Sequence, residues 1–294
     1  MAGFGLPIQF YIKQNVQNPD DSFEGTINAT YIYDTNDGTG DKYVYGSNPL
    51  ASSQYIHLDG TGIKKVQILI VGEGGDGSSS SANLSGAGGN GGEIKYYAEY
   101  ELTAGYYYFS VARQGILDDT VVGFKKGNSN GSDPTNFEAP FDISCSKGGG
   151  AAGGAAVSGM SNGNDGSVGL TSSITGTALS YGWGGGSGAC VNSSQLNQTI
   201  SKSGGIGFPV PPYDYGEGAA GSRYSNNIIN NYGCGRDAYS GIAYGFGHGG
   251  GGASAVYAKA NTPPNAYQWH IGSSCGVYNK GQGGNGVIII RWTP

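Results

Sequence analysis

Residues 65–77 read KVQILIVGEGGDG, so that an apolar run passes directly into a cluster of glycines. The apolar part has the length and the branched aliphatic composition of a buried β-strand. The cluster cannot extend a helix, where each glycine costs about 1 kcal/mol relative to alanine, and it offers no side chains to a core. The junction therefore predicts a strand that ends where an extended, glycine-based structure begins.

A high glycine content characterises the whole chain: 58 of its 294 residues are glycine, whereas the usual share is about 7%. This density excludes long helices. Collagen is excluded as well, because the glycines are clustered and there are only 11 prolines. Bulk disorder is disfavoured, since 12% of the residues are aromatic and the net charge is only −6. We therefore expect an ordered, glycine-dense protein.

The glycine clusters suggest a bundle in which backbone packs on backbone. Further clusters lie at 148–154, 182–188, 245–252 and 281–286. Without Cβ atoms, such stretches can form polyglycine-II-like segments whose N–H and C=O groups pair with neighbouring segments. The glycines that we expect to be structurally required are Gly72, Gly74, Gly149, Gly185, Gly250, Gly284 and Gly286. Flexible loops are the alternative interpretation of the clusters.

Such a bundle needs a frame, because ordering glycine is entropically costly. Strand signals lie at 65–71, 93–101, 106–112 and 286–292. We expect the first and the last of these strands to share a sheet, and the middle two to form a hairpin that turns at 103–105.

Residues 1–62 differ in composition from the rest of the chain. They contain short β-type runs separated by turn signals such as NPDD at 18–21. The sequence predicts an all-β protein with a small N-terminal β assembly module at 1–62. A β-framed glycine-rich domain with polyglycine-II-like segments follows at 63–294, framed by strands within 65–115 and 286–292.

Several function classes are disfavoured. The N-terminus shows no secretion signal, and no apolar run approaches the length of a membrane-spanning helix. The chain has no Lys/Arg cluster for nucleic acid. Residues 72–77 fit G-x-G-x-x-G, but the serine- and glycine-rich stretch after them cannot form the helix that a dinucleotide site requires. With no nucleophile elbow either, we expect no enzymatic activity and no cofactor.

Aromatic residues near two proline-containing stretches are the candidates for partner contact. These stretches are FPVPPYDY at 208–215 and ANTPPNAYQWH at 260–270, which we expect to be exposed loops. A histidine within the run GFGHGGGG joins the set. The candidate contact residues are Tyr213, Tyr215, His248, Tyr267 and Trp269. Tyrosine and tryptophan are favoured at interfaces, although the same rings could instead pack over the glycine bundle.

Two further residue groups leave alternatives open. Asp34, Asn36, Asp37 and Asp41 offer oxygen ligands that would suit Ca²⁺, but an ordinary Asx-type turn accounts equally for the pattern, and we expect no metal. The four cysteines, Cys145, Cys190, Cys234 and Cys275, lack the CxxC spacing of a zinc site. They are either reduced and buried, or joined in disulfides formed after release from a cell.

The order of motifs over about 63–292 resembles the glycine-rich domain of bacteriophage tail-fibre, tail-tip and other virion surface proteins. That family shows a strand ending in VVGGGG, a TPGQ-type turn and a closing GGxGVVIIRY. Here KVQILIVGEGG, residues 103–105 and the closing GGNGVIIIRW at 283–292 correspond, whereas 112–115 depart from the family's VGAGG.

The resemblance implies a virion structural or attachment role at the particle surface, in tail or capsid, with no assigned catalytic residue. We expect contacts to other virion proteins through residues 1–62, and to a host surface glycan or outer-membrane protein through polar loops. Oligomerisation is compatible with this role, whereas nucleic-acid binding and membrane insertion are not expected. A non-viral glycine-rich coat or matrix protein is the alternative.

Overall fold

The computed structural model confirms the all-β fold class. It describes residues 15–16, 25–28, 32–35, 37–46, 55–58, 64–110, 121–127, 142–191, 200–210, 213–215, 221–223, 229–231, 238, 246–259, 267–271 and 281–293. Within these ranges the chain forms strands and extended segments and no helix. Accordingly, the described part of the chain has no helix of the length and apolarity needed to cross a membrane.

The longest strands have six to nine residues, and the other strands have two to five. In chain order they are β1 Asn15–Val16, β2 Gly25–Asn28, β3 Ile32–Asp34, β4 Lys42–Gly46, β5 Tyr55–Leu58, β6 Lys64–Val71, β7 Ile94–Leu102, β8 Gly105–Ser110, β9 Val121–Gly127, β10 Ile143–Ser146 and β11 Met160–Ser161. The remaining strands are β12 Leu170–Ser172, β13 Leu179–Tyr181, β14 Cys190–Val191, β15 Ile200–Lys202, β16 Phe208–Val210, β17 Tyr213–Tyr215, β18 Gly221–Arg223, β19 Ile229–Asn231, β20 Ala255–Lys259, β21 Tyr267–Ile271 and β22 Val287–Trp292.

Two antiparallel sheets frame the molecule. A five-stranded sheet has the order β3-β4-β22-β6-β7, and a six-stranded sheet has the order β1-β2-β5-β8-β9-β10. β6 pairs with β22 from Val71↔Val287 to Gln67↔Arg291, which confirms that the first and last framing strands share a sheet. The described strands of residues 1–62 lie in these same two sheets, since β4 pairs with β22 and β5 with β8. The boundary expected at residue 62 therefore falls inside two shared sheets.

The central strands β6 and β22 are buried on both faces. One face of β22 contributes Ile288 and Ile290 to a core shared with β9 and β10, and the other contributes Val287 and Ile289 to a second core around Tyr181. β6 alternates in the same way. Burial on both faces explains why these strands read as continuous aliphatic runs and not as alternating patterns.

The chain changes sheets at residues 103–105, where the sequence predicts a hairpin. That prediction is wrong, because β7 pairs with β6 in one sheet while β8 pairs with β5 and β9 in the other. The Tyr107 hydroxyl fixes this corner by donating to the Thr103 carbonyl and accepting from its N–H, each at 2.9 Å. Gly105 has φ +137°, a conformation that L side chains rarely adopt.

The glycine clusters form extended segments between the frame and a small four-stranded sheet, β11-β14-β20-β21. We number these segments in chain order: segment I is 72–79, II is 85–93, III is 148–157, IV is 162–169, V is 182–189, VI is 203–207, VII is 246–254 and VIII is 281–286. Segments V and VII run from the frame to β14 and β20, which pair in parallel beyond their ends.

Hydrogen bonds between the segments repeat every three residues. In segment II, the N–H groups of 85, 88 and 91 donate to segment III, and those of 86, 89 and 92 donate to segment VII, at 2.7–2.9 Å. In segment VII, the N–H groups of 249 and 252 donate to segment V, and those of 250 and 253 to segment I. Three residues per turn is the repeat of a polyproline-II-type helix. The predicted polyglycine-II-like bundle is therefore confirmed.

The repeat explains where glycine is required and where it is not. Segments I, II and VIII share the motif G-x-G-G-x-G, whose x residues are Glu73 and Asp76, Ala87 and Asn90, and Gln282 and Asn285. All of these except Glu73 are half-buried or exposed. Segment VII has neighbours in segments I, II, V and VIII, and it is buried throughout. Five of its nine residues are accordingly glycine, four of them consecutive at 249–252.

The predicted structural glycines lie at close backbone approaches, with one exception. At Gly72, Gly74, Gly185, Gly250 and Gly286, an added Cβ would lie closer than 3.0 Å to a backbone atom of another segment or strand. Gly284 donates to His248 and accepts from Gly74 at 2.7 and 2.9 Å. Gly149 is exposed, and its nearest neighbour would be the Ser146 hydroxyl, which can move away.

Candidate functional site

The G-x-G-x-x-G stretch at 72–77 belongs to the bundle. The N–H groups of Gly72 and Gly74 donate to the carbonyls of Glu93 and Gly284 at 2.8 and 2.9 Å. A phosphate site would need such groups to be available to the ligand, at the start of a helix. Here the chain continues as segment I. The glycine spacing is therefore a consequence of the three-residue repeat.

The four aromatic contact candidates lie on strands, where the sequence predicts loops. Tyr213 and Tyr215 belong to β17 and pair with Val210 and Phe208 of β16. Tyr267 and Trp269 belong to β21 and pair with Lys259 and Tyr257 of β20. Strand pairing restricts the backbone of both sites, which lowers the conformational entropy lost when a partner binds.

The two strand pairs lie at different levels of the bundle. Phe208, the first residue of β16, contacts Trp183 and His248. Trp183 is the second residue of segment V, and His248 is the third residue of segment VII. β20 begins at Ala255, seven residues beyond His248, or about 20 Å along a polyglycine II segment. The structure therefore divides the predicted contact residues into two sites.

His248 is not an exposed contact residue. Its side chain is 1% exposed, its ring stacks on Phe208 with centroids 4.2 Å apart, and its Nδ1 accepts a hydrogen bond from the Trp183 N–H at 3.2 Å. This burial corrects its expected role as a contact residue, because a partner cannot reach the ring directly.

The acidic loop at 35–41 binds an arginine of the chain itself. Arg291 Nε donates to Asp41 at 2.8 Å, and its Nη2 donates to Asp37 at 2.8 Å. Hydrogen bonds from Thr39 and Thr35, with the Arg291 guanidinium, hold the pKa of Asp37 well below its ordinary value. Asp34 pairs in β3 with Lys42, and Asn36 lies outside the described residues. Asp37 and Asp41, two of the residues proposed as Ca²⁺ ligands, thus already have a cationic partner.

A second charged cluster joins segment I to Lys147, the residue that precedes segment III. Lys147 Nζ lies 2.8 Å from Glu73 Oε1 and 3.9 Å from Asp76 Oδ1, and the Glu73 side chain is fully buried. Asp76 also accepts from the Gly283 N–H at 2.9 Å. This cluster fixes the start of the bundle. Among the residues that the structure describes, no three His, Cys, Asp or Glu side chains are placed to hold a metal ion.

Cys145 and Cys190 are free and buried, as the first of the two cysteine alternatives predicts. Burial raises the pKa of Cys145 to about 12, and it also raises the pKa of Cys190. Such thiols react slowly, because the thiolate is the nucleophilic form. Cys234 and Cys275 lie outside the described residues.

Sequence reasoning missed three residues that organise these sites: Phe208, Trp183 and Arg291. Trp183 and His248 each interrupt a run of glycines with an aromatic ring. This interruption is the sequence feature that could have pointed to both residues. Arg291 interrupts an otherwise apolar framing strand, which signals a polar partner for it.

No model of a protein family matches the chain, and no curated protein matches it significantly.

Proposed function

We propose that the chain is a non-enzymatic structural protein of a virion surface, a tail-fibre, tail-tip or capsid-decorating component that mediates host attachment. The observation that carries the proposal is the polyglycine II bundle, together with the two aromatic strand pairs attached to it. Binding residues commonly lie on connections that a rigid scaffold positions. A bundle between framing sheets is such a scaffold.

The groups that hold the bundle together are mostly backbone groups, whereas its surface is formed by side chains. Its segments are held mainly by backbone hydrogen bonds, to which the x residues Asp76 and Asn90 add bonds from their side chains. Exposed side chains that make no such bond can therefore change while the backbone hydrogen bonds remain. This property suits an attachment protein, whose contact surface must match a particular host.

The proposed contact residues are Tyr213 and Tyr215 at one site, and Tyr267 and Trp269 at the other. Tyrosine and tryptophan combine a large apolar area with a polar group and lose little conformational entropy on binding. Only 12% of the residues are charged. Stacking and hydrogen bonding to a host surface glycan or an outer-membrane protein fit this chemistry. Contacts to other virion proteins are assigned to residues 1–62.

The resemblance in motif order to glycine-rich virion proteins supports the same proposal. A non-viral coat or matrix protein is the second candidate, because a rigid bundle would serve it equally. Immunogold electron microscopy with antibodies to the purified protein distinguishes the two. We expect gold on tails or capsids of the virus that encodes the chain, and gold on a cellular coat would favour the second candidate.

The attachment role is tested by adsorption of the purified protein to host cells. We expect Tyr213→Ala with Tyr215→Ala, or Tyr267→Ala with Trp269→Ala, to weaken adsorption about tenfold or more, as for truncation of interface hot spots. Tyr96→Ala is the matched control, because Tyr96 is an exposed tyrosine on β7, outside both sites. Adsorption unchanged in both double variants would rule out these residues as the contact surface.

A further inference from the structure

His248 is a large polar side chain inside a segment in which five of the nine residues are glycine. Segment VII reads FGHGGGGAS, and every residue of it is buried. The His248 ring lies face to face with Phe208, at a centroid distance of 4.2 Å and an interplanar angle of 8°. Phe208 is the first residue of β16, and its partner in β17 is Tyr215. The stack thus joins the bundle to the strand pair that carries Tyr213 and Tyr215.

The same ring is held in one protonation state by its second contact. The Trp183 N–H donates to His248 Nδ1 at 3.2 Å, so Nδ1 is an acceptor and the imidazole is neutral. The Trp183 ring completes the site by packing edge-on against Phe208, with centroids 5.6 Å apart. In an imidazolium both nitrogens carry protons. Protonation would therefore place an N–H of the imidazolium opposite the Trp183 N–H, so that two donors would face each other. It would also place a positive charge at a buried position.

The described charged side chains of the elements packed against segment VII have ionic or hydrogen-bond partners other than His248. Glu73 and Asp76 of segment I face Lys147. Glu93 of segment II binds Lys95 and Ser146. Segments V and VIII and strand β16 contain only uncharged residues. The carboxylates of these elements are thus engaged with other partners.

We propose that His248 is a positioning residue: its neutral imidazole docks the β16–β17 pair onto the bundle, and its protonation releases that pair. Acid would then remove the Tyr213 and Tyr215 contact site from its scaffold while the bundle stays folded. The regulatory meaning of this release rests on the proposed attachment function. The docking itself does not.

Hydrogen exchange measured by mass spectrometry tests the docking without any partner. Exchange of a peptide covering 208–215 is compared at pH 7.5 and pH 5.0, after correction for the intrinsic pH dependence of exchange. These values lie on either side of the pH near which imidazole ordinarily titrates, about 6.5. We expect exchange to become about tenfold faster or more at pH 5.0, because protonation of the imidazole in the released, solvated state shifts the equilibrium towards release by that order. A peptide covering segment II should be unchanged.

Substitutions assign the response to this ring. His248→Asn keeps an oxygen that can accept from the Trp183 N–H but has no titratable ring to stack on Phe208. We expect fast exchange of 208–215 in this variant at both pH values. Phe208→Ala removes the stack from the other side and should behave likewise. His270→Asn changes a histidine on β21 and should keep the wild-type response.

Two results would overturn the proposal: exchange of 208–215 in the wild type that is the same at both pH values, or a pH response that survives in His248→Asn. Adsorption to host cells is measured on the same samples. A pH response in exchange without any effect of Tyr213→Ala and Tyr215→Ala on adsorption would contradict the attachment role of this pair and leave the docking intact.

Discussion

Individual glycines determine whether the bundle can form. Gly250 lies in the fully buried segment VII, and an added Cβ would lie closer than 3.0 Å to the backbone of Gly281. Its φ is not in the left-handed region, so that the requirement is steric and not conformational. An alanine could be accommodated only if two hydrogen-bonded segments moved apart.

We therefore predict that Gly250→Ala lowers the free energy of unfolding by about 3 kcal/mol or more, at or beyond the upper end for overpacked cores. Ala155→Ser is the control, because Ala155 is an exposed residue of segment III and surface substitutions usually stay within about 0.5 kcal/mol. Urea unfolding measures both. Equal stabilities of the two variants would contradict the steric requirement.

At the same scale, the glycine pattern alone does not show which of the residues that interrupt it are buried. The x residues of G-x-G-G-x-G can be read from the sequence once the three-residue repeat is known. The burial of His248 could not be read, because it depends on Phe208 reaching the ring from a segment 40 residues away in sequence.

At the scale of elements, Arg291 fastens the 35–41 loop to β22. The guanidinium binds Asp37 and Asp41, Thr293 donates to Asp41 at 2.8 Å, and Arg291 Nη1 also reaches the Ser173 carbonyl at 3.4 Å. These contacts join an early loop, a turn before β13 and the last strand. The Asp37 contribution depends on pH, because the pKa of this carboxyl is lowered in the folded protein.

The sign of that dependence follows from linkage. A carboxyl whose pKa is depressed by folding stabilises the fold above its ordinary pKa of 3.8, and this stability is lost as the pH falls towards the folded value. We predict that Asp37→Asn is less stable than the wild type at pH 6 and loses less stability between pH 5 and pH 2. Thermal unfolding across this range measures the difference.

Glu101→Gln is the control for this prediction, since Glu101 is an exposed carboxylate on β7. It should keep the wild-type pH dependence. Other carboxyls with a lowered pKa, such as Glu93, are present in all three proteins and contribute equally. Identical pH slopes in Asp37→Asn and the wild type would show that the loop contact does not contribute.

The strand pairings show which parts of the sheet topology can be predicted from local sequence. The apolar runs predict the strands at 65–71 and 286–292. Their common sheet is expected because a glycine bundle needs strands that hold its ends. The same reasoning predicted a hairpin at 103–105. It failed there because the Tyr107 contact to Thr103 turns the chain into the other sheet, and adjacent strands in sequence need not pair.

On the scale of the whole molecule, β6 and β22 make the frame a single unit. Ile290 belongs to the core between the two framing sheets, and Ile289 to the core that adjoins Tyr181 and Phe246 at the start of the bundle. Strands from residues 1–62 pair directly with β22 and β8. The arrangement predicts that the N-terminal strands, the frame and the bundle unfold together.

We predict that Ile289→Ala and Ile290→Ala each destabilise the protein by about 2–5 kcal/mol, the range for buried isoleucine truncation. Both should shift one common transition, followed by far-UV circular dichroism and by tryptophan fluorescence in urea. Tyr96→Ala, which truncates an exposed side chain, should leave the midpoint unchanged. A transition that stays at its wild-type midpoint in either isoleucine variant would indicate independent domains.

The sequence by itself determined the all-β class, the framing strands and the polyglycine II character of the clusters. These properties follow from local chemistry: aliphatic runs favour strands, and residues without Cβ permit close backbone approach. Only the tertiary structure decided which segments are neighbours, which sheet each N-terminal strand joins, and that Arg291 meets Asp37, 254 residues away. Glycine segments carry no side chains that distinguish one partner from another, so their arrangement is set by the strands and side chains at their ends.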